Sequence, residues 1–173
     1  MTRHGPHWWP AYVGIGSNLD SPHEHVLRAF DDLAGMPDTL LVAKSSLYRS
    51  APMGPQDQPF FINAVAALLS QQPAANLLQH LQAIEKQHGR DRRGDKWGPR
   101  TLDLDLLVVG TEIVATDALT LPHPGIAGRN FVLLPLHEIA PYLDVPGLGS
   151  VSRLVSALPK PGPEIEEFVV ERD

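Results

Sequence analysis

The chain has 173 residues, no cysteine and a formal net charge of −6, with 43% hydrophobic and 20% charged residues. That is enough chain for one compact domain with a real core, in the composition range of ordinary soluble globular proteins. Disulfides and thiolate zinc sites are excluded, non-specific nucleic-acid binding is disfavoured by the charge, and no apolar run approaches the roughly 18 to 20 residues that span a bilayer. Met1 to Pro10 holds no apolar stretch that could serve as a secretory signal, so the expected location is cytoplasmic.

Tyr12-Val13-Gly14-Ile15-Gly16 reads as a short strand entering a Gly-rich turn. Ser21-Pro22-His23-Glu24 has the form of a capping box, with Ser at the N-cap and Glu at N3. The helix behind it shows Val26, Leu27, Phe30 and Leu33 on one face and stops at Gly35. Thr39 to Arg49 is rich in strand formers and ends before the turn residues of 50–55. Phe60 to Leu69 is an almost continuous apolar run, as in a central strand, interrupted by Asn63. Pro73 opens a second helix with Leu77, Leu78, Leu81 and Ile84 on its buried face and Gly89 beyond its end.

Leu102 to Val109 is the fourth strong strand. The order β-α-β-β-α-β predicts an α+β, ferredoxin-like fold: an antiparallel sheet with helices packed on it, plus a C-terminal extension. Short helices are expected over Phe131 to Ile139, around Pro135, and over Val151 to Leu158. Residues 11–158 are expected to form the single domain. The extension 1–10, with Trp8 and Trp9, and the acidic tail 159–173 are expected to be partly mobile.

The chemistry concentrates in Lys96-Trp97-Gly98-Pro99-Arg100-Thr101-Leu102-Asp103-Leu104-Asp105-Leu106-Leu107. Residues i and i+2 of a strand share a face, with α-carbons roughly 6.5 to 7 Å apart. Asp103 and Asp105 therefore face one way, and Leu102, Leu104 and Leu106 the other. Two adjacent carboxylates repel unless a cation lies between them, and Mg²⁺ is characteristically held by one or two carboxylates plus phosphates and water. The D-x-D pattern by itself is equally met by an edge strand that shows its aspartates to water. The basic cluster beside it tips the balance. Arg90, Arg92, Arg93, Lys96 and Arg100 stand against only two acids in 90–100. Guanidinium forks with nearby metal ligands are what a polyphosphate requires. The common phosphate loops are absent: Gly89-x4-Gly94 is followed by Asp95, and Gly14-x-Gly16 lacks a third glycine. The pair His23-x-His25 lacks a third ligand and reads as helix surface.

With these residues in hand, the chain resembles the 6-hydroxymethyl-7,8-dihydropterin pyrophosphokinases from about Tyr12 to Pro141. Four ordered blocks carry the resemblance: 14–19 (GIGSNL), 48–59 (YRSAPMGPQDQP), 97–107 (WGPRTLDLDLL) and 121–124 (LPHP). The resemblance implies an ATP-dependent diphosphotransferase of folate biosynthesis. It implies that Asp103 and Asp105 bind two Mg²⁺ ions, and that Arg90 and Arg100 hold the phosphates during transfer. Arg92 is implied on a closing loop, and Gln82, Glu85, Leu106, Thr120, His123 and Arg129 near the nucleotide. For the pterin it implies Asn63 as hydrogen-bond partner, Phe61 and Phe131 as a sandwich, the backbone near Ser50, Ala51 and Met53, and Trp97 near both ligands. The chain departs from the family pattern at Ala118, where a basic residue is common, and at Pro124, where an aromatic is. The expected partners are ATP and the pterin, with no nucleic acid and no membrane, and a monomer is expected because no leftover apolar stripe asks for a second copy. The alternative from another class is a ferredoxin-like nucleotide- or RNA-binding module without catalysis.

Overall fold

The computed structural model describes residues 6–90, 99–160 and 162–171. Strand β1 (Trp9–Ser17) leads into helix α1 (Pro22–Ala34), then β2 (Thr39–Lys44), β3 (Leu47–Ser50), β4 (Phe61–Ser70), α2 (Ala74–Gln87) and β5 (Asp103–Val109). Beyond these come the two-residue strands β6 (Val114–Ala115) and β7 (Thr120–Leu121), then α3 (Asn130–Ile139). The pair β8 (Asp144–Val145) and β9 (Gly149–Ser150), α4 (Val151–Ser156) and β10 (Ile165–Phe168) complete the chain. The main sheet is antiparallel in the order β10-β3-β4-β1-β5, and β2 precedes β3 along the same edge of β4. With β2 and β3 counted as one interrupted strand, this is the expected ferredoxin-like order.

The strand pattern of period 2 divides the core. Val13 and Ile15 of β1, Leu104 and Leu106 of β5, and Ile62, Ala64 and Ala66 of β4 point to one face, where α1 and α2 cover them. Leu33 and Leu81 are almost fully buried there, and truncating either to Ala would cost about 2–5 kcal/mol. Val65 and Leu107 point to the other face, under Val132, Leu133 and Leu136 of α3. The sheet thus carries helices on both faces, and α3 covers only part of the second.

Several local expectations give way to specific contacts. Ser21 occupies the α1 N-cap, but its φ of 62° turns it left-handed and its side chain makes no capping bond. Its carbonyl accepts Glu24 N at 3.0 Å instead. The segment 39–49 is interrupted at Ser45 and Ser46: Ser45 exchanges bonds with Val65 through its own N–H and hydroxyl, and Glu138 of α3 accepts from Ser46 N, Ser46 Oγ and Tyr48 Oη. Strand β1 begins at Trp9, within the segment read as an extension. Ile165–Phe168, in the segment read as an acidic tail, pairs with β3 as a new edge. The pattern Ile-Glu-Glu-Phe is short and charged, as edge strands commonly are.

On α1 the buried face runs through His25 and Ala29, while Leu27 is exposed. His25, 7% exposed, places Nδ1 2.7 Å from Nδ1 of His88, whose Nε2 lies 2.7 Å from Asp32 Oδ2. Arg28 Nη2, which can only donate, lies 3.1 Å from the same His25 nitrogen. His25 Nδ1 therefore accepts from Arg28, and His88 bridges it to Asp32. This pins the end of α2 to α1. Burial lowers the His25 pKa, and the neighbouring His88 and Arg28 charges lower it further against weaker opposition from Asp20 and Glu24. The unfolded chain then takes up a proton at this site more readily than the folded one, so the stabilisation present above about pH 6.5 is lost as pH falls. We predict that His25→Gln shrinks the drop in urea midpoint between pH 7 and pH 5. An equal drop in both proteins would refute this coupling.

Candidate active site

The registers of β1, β4 and β5 build the site. Gly16 pairs with Asn63 on one side and Asp103 on the other, and Gly14 lies between Val65 and Asp105 in the same way. Asn63, Asp103 and Asp105 all point to the face that α3 leaves open. Between the Asn63 and Asp103 columns the floor has no side chain. A Cβ on Gly16 would come within 3.2 Å of Asn63 Oδ1 and narrow the trench. Adjacent strands are about 4.8 Å apart, so the two columns stand roughly 10 Å from each other across β1.

One end of the cleft is flat and amide-lined. Asn63 is buried and donates through Nδ2 to Ser50 Oγ at 2.7 Å. Phe61 and Phe131 also line this end, with Ala51 and the exposed Met53 at the mouth.

The other end is charged. Arg90 Nη1 donates to Glu85 Oε1 at 2.8 Å and to Asp103 Oδ1. Arg100 Nη1 donates to Asp103 Oδ2 at 2.9 Å. Arg100 N in turn donates to Asn18 Oδ1 at 2.9 Å, and the Asn18 amide donates to Gln58 and to the Pro59 carbonyl. Burial, then the charges of Asp103 and Glu85, push the Asp105 carboxyl up to about 7. Its side chain still opens on the cleft with 39% exposure, 3.7 Å from His123 Nε2. His123 Nδ1 accepts Gly125 N at 2.9 Å, which leaves the ring proton on Nε2, facing Asp105. Burial, then the Arg129 charge, lower the pKa of that imidazole against the opposing charge of Asp103. Arg129 lies so close against Gly125 that any Cβ there would collide with the guanidinium.

Ten of the expected residues meet around this cleft: Ser50, Ala51, Met53, Phe61, Asn63 and Phe131 at one end, and Arg100, Asp103, Asp105 and Arg129 at the other. Arg90 and His123 stand directly behind the acidic pair. Four residues are placed differently. Glu85 is 1% exposed and is an internal anchor, accepting Leu104 N at 2.9 Å as well as Arg90. The Leu106 side chain is 3% exposed in the core on the opposite sheet face, because it alternates with Asp105. Gln82 and Thr120 are exposed and do not line the cleft. Arg92 and Trp97 lie outside the described residues. Sequence reasoning passed over Asn18, which directly follows β1; Gly14 and Gly16, expected in a turn, lie within that strand and pair on both sides.

The profile of the 7,8-dihydro-6-hydroxymethylpterin-pyrophosphokinase family matches residues 12–141. The chain belongs to this family. A 2-amino-4-hydroxy-6-hydroxymethyldihydropteridine pyrophosphokinase from Haemophilus influenzae is 44% identical over 145 residues, 84% of this chain and 90% of that protein. One from Pseudomonas aeruginosa is 46% identical over 153 residues, 88% of this chain and 94% of that one. Among solved structures, a Plasmodium falciparum HPPK-DHPS superposes with a TM-score of 0.67 at 12% identity, covering 87% of this chain and 44% of that one. A second HPPK-DHPS structure, with substrates, gives 0.66. These two establish the fold, and the present chain spans less than half of their length. The alternative of a binding module without catalysis finds no support in these relatives.

The donor set suits a hard cation. Among the described residues no group of three or more His, Asp or Glu forms a cage, which is the expected situation where substrate oxygens and water complete the shell. The two cleft-facing carboxylates, Asp103 and Asp105, are the kind of oxygen donor Mg²⁺ prefers.

Removing one partner of a buried ion pair strands the other. We predict that Glu85→Ala lowers unfolding free energy by about 3 kcal/mol or more, while Glu85→Gln, which keeps an acceptor for Leu104 N, costs clearly less. Equal urea midpoints for wild type and Glu85→Ala would contradict the anchoring role.

Proposed function

We propose that this protein transfers the β,γ-diphosphate of ATP to the hydroxymethyl group of 6-hydroxymethyl-7,8-dihydropterin and releases AMP, a step of folate biosynthesis. The observation that carries the reading is the shared floor of the cleft. An amide-and-aromatic end and a carboxylate-and-guanidinium end stand about two strand spacings apart with only glycine between them. A flat heterocycle bonded to Asn63 and stacked between Phe61 and Phe131 would point its hydroxymethyl arm along that floor, toward phosphates held at the other end.

In this reading Asp103 and Asp105 hold two Mg²⁺ ions, which when bound would neutralise and orient the polyphosphate oxygens. Arg90 and Arg100 hold the phosphoryl oxygens, and Arg129 and His123 border the nucleotide. Gln82, Thr120, Arg92 and Trp97 are further nucleotide contacts, and Trp97 also packs near the pterin. The hydroxymethyl oxygen attacks the β-phosphorus. The new O–P bond forms as the bond from the β-phosphorus to the oxygen bridging to the α-phosphorus breaks. That bridging oxygen leaves with AMP, and the hydroxyl proton passes to water. The reading assigns no general base, and none is required, since such transfers depend on positioning and charge neutralisation.

Incubation with ATP, Mg²⁺ and the pterin should yield pterin-dependent AMP that chelation abolishes; ADP as the product would sink the diphosphate-transfer reading. Asp103→Ala and Asp105→Ala should each lower kcat on the order of a thousandfold, and near-normal turnover in either would rule out their metal role. Arg90→Ala and Arg100→Ala should lower kcat about a hundredfold while the pterin KM moves little, and a pure KM effect would count against transition-state contacts.

A further inference from the structure

Strand β10 lies outside the span that the family profile matches, yet it reaches the amide-and-aromatic end of the cleft. Ile165 pairs with Ser50, and Ala51 N donates to the Glu164 carbonyl at 3.3 Å. One residue earlier, the Pro163 carbonyl accepts Asn130 Nδ2 at 2.8 Å. Asn130 is buried, opens α3, and directly precedes Phe131. The three residues from Pro163 to Ile165 therefore bridge two walls of the cleft, the Ser50–Ala51 edge and the start of α3. On the outer side of the same strand, Glu166 pairs with Arg49 at 3.0 Å, and Arg49 lies over the Phe60 ring, 4.1 Å from its centroid. A further tie between α3 and this sheet edge, Glu138 with Ser46 and Tyr48, is at the far end of the helix.

We propose that Asn130 is a positioning residue for the pterin: clamped to the Pro163 carbonyl, it sets the gap between the Ser50–Ala51 edge and Phe131. A planar ring held between two aromatic faces loses a quarter to a half of its contact energy when the gap opens by roughly 0.5–1 Å. Arg90 and Arg100 at the charged end of the cleft are anchored separately, by Glu85 and Asn18, so the groups proposed to hold the phosphates do not move with this adjustment. The inference rests on the assignment of this end of the cleft to the pterin.

The test uses the full-length chain with Asn130→Ala and with Asn130→Asp, which keeps the size but, ionised, has no proton to donate. Both should raise the pterin KM, and the pterin Kd read by fluorescence titration, by about tenfold, with the ATP KM within about twofold of wild type. Unchanged pterin binding would overturn the proposal, as would an equal rise in both KM values, which indicates general loosening. Should Asn130→Ala fail to fold, Glu166→Ala on the exposed side of β10 gives the same reading, with an expected rise of about threefold in pterin KM alone. No rise there would overturn it as well. A wild-type chain that binds no pterin would overturn this inference together with the function beneath it, whereas a normal wild type with unresponsive variants overturns this inference alone.

Discussion

Glu85 reaches from α2 through the core to the main chain of β5, and the charged half of the cleft is arranged around it. A carboxylate with 1% exposure loses its hydration at a cost of several kcal/mol, recovered only through close partners. Those partners are Leu104 N and the Arg90 guanidinium. Arg90 is thereby held by the core and not only by the segment it heads. Asp103 takes Arg90 on one oxygen and Arg100 on the other, and Arg100 is fixed through its backbone to Asn18. Acid and base alternate from the interior outward, ending at Asp105, which opens on the cleft.

The other half depends on what is missing from the sheet. With glycine at both cleft-facing positions of β1 next to the acidic pair, the floor is bare backbone, and ligands can lie directly on it. Two short side chains there would divide the trench into separate pockets. The helices on the opposite face supply the hydrophobic burial that lets this face remain incomplete, since α3 covers Val65 and Leu107 and leaves Asn63, Asp103 and Asp105 open.

The acidic strand was legible because period 2 alone assigns Asp103 and Asp105 to one face and Leu104 and Leu106 to the other. By the same rule the Leu106 side chain could not reach the cleft, although family resemblance put it near the nucleotide. Asn63 was legible as a lone amide in an apolar strand. Glu85 was not, since its partner is a backbone N–H on β5 that no sequence pattern marks, and taken alone it looks like a solvated helix face. His25 was misread for the opposite reason. The apolar spacing of α1 favours Leu27, but a histidine with His88 and Arg28 as partners can be buried at lower cost than an unpartnered one. Strand β10 was invisible because two glutamates in four residues carry no core signal, and its place is set by pairing to β3 and by Asn130.

The arginines and aspartates of the cleft are arranged for an exchange of partners. In the free protein Asp103 neutralises Arg90 and Arg100 and so keeps three charged groups ordered in a partly buried site. In the proposed reaction a polyphosphate would offer both arginines better acceptors, and the carboxylate they release would then be available, with Asp105, for the cation that accompanies the phosphates. Each charge keeps an opposite partner before and after, so little desolvation is left uncompensated as the substrate enters. The Asp105 carboxyl fits this scheme. Burial and the crowding of Asp103 and Glu85 push it up to about 7, so its negative charge is disfavoured until a cation arrives to share it. The charge pattern of the free protein is therefore a pre-ordered form of the one that the proposed reaction requires.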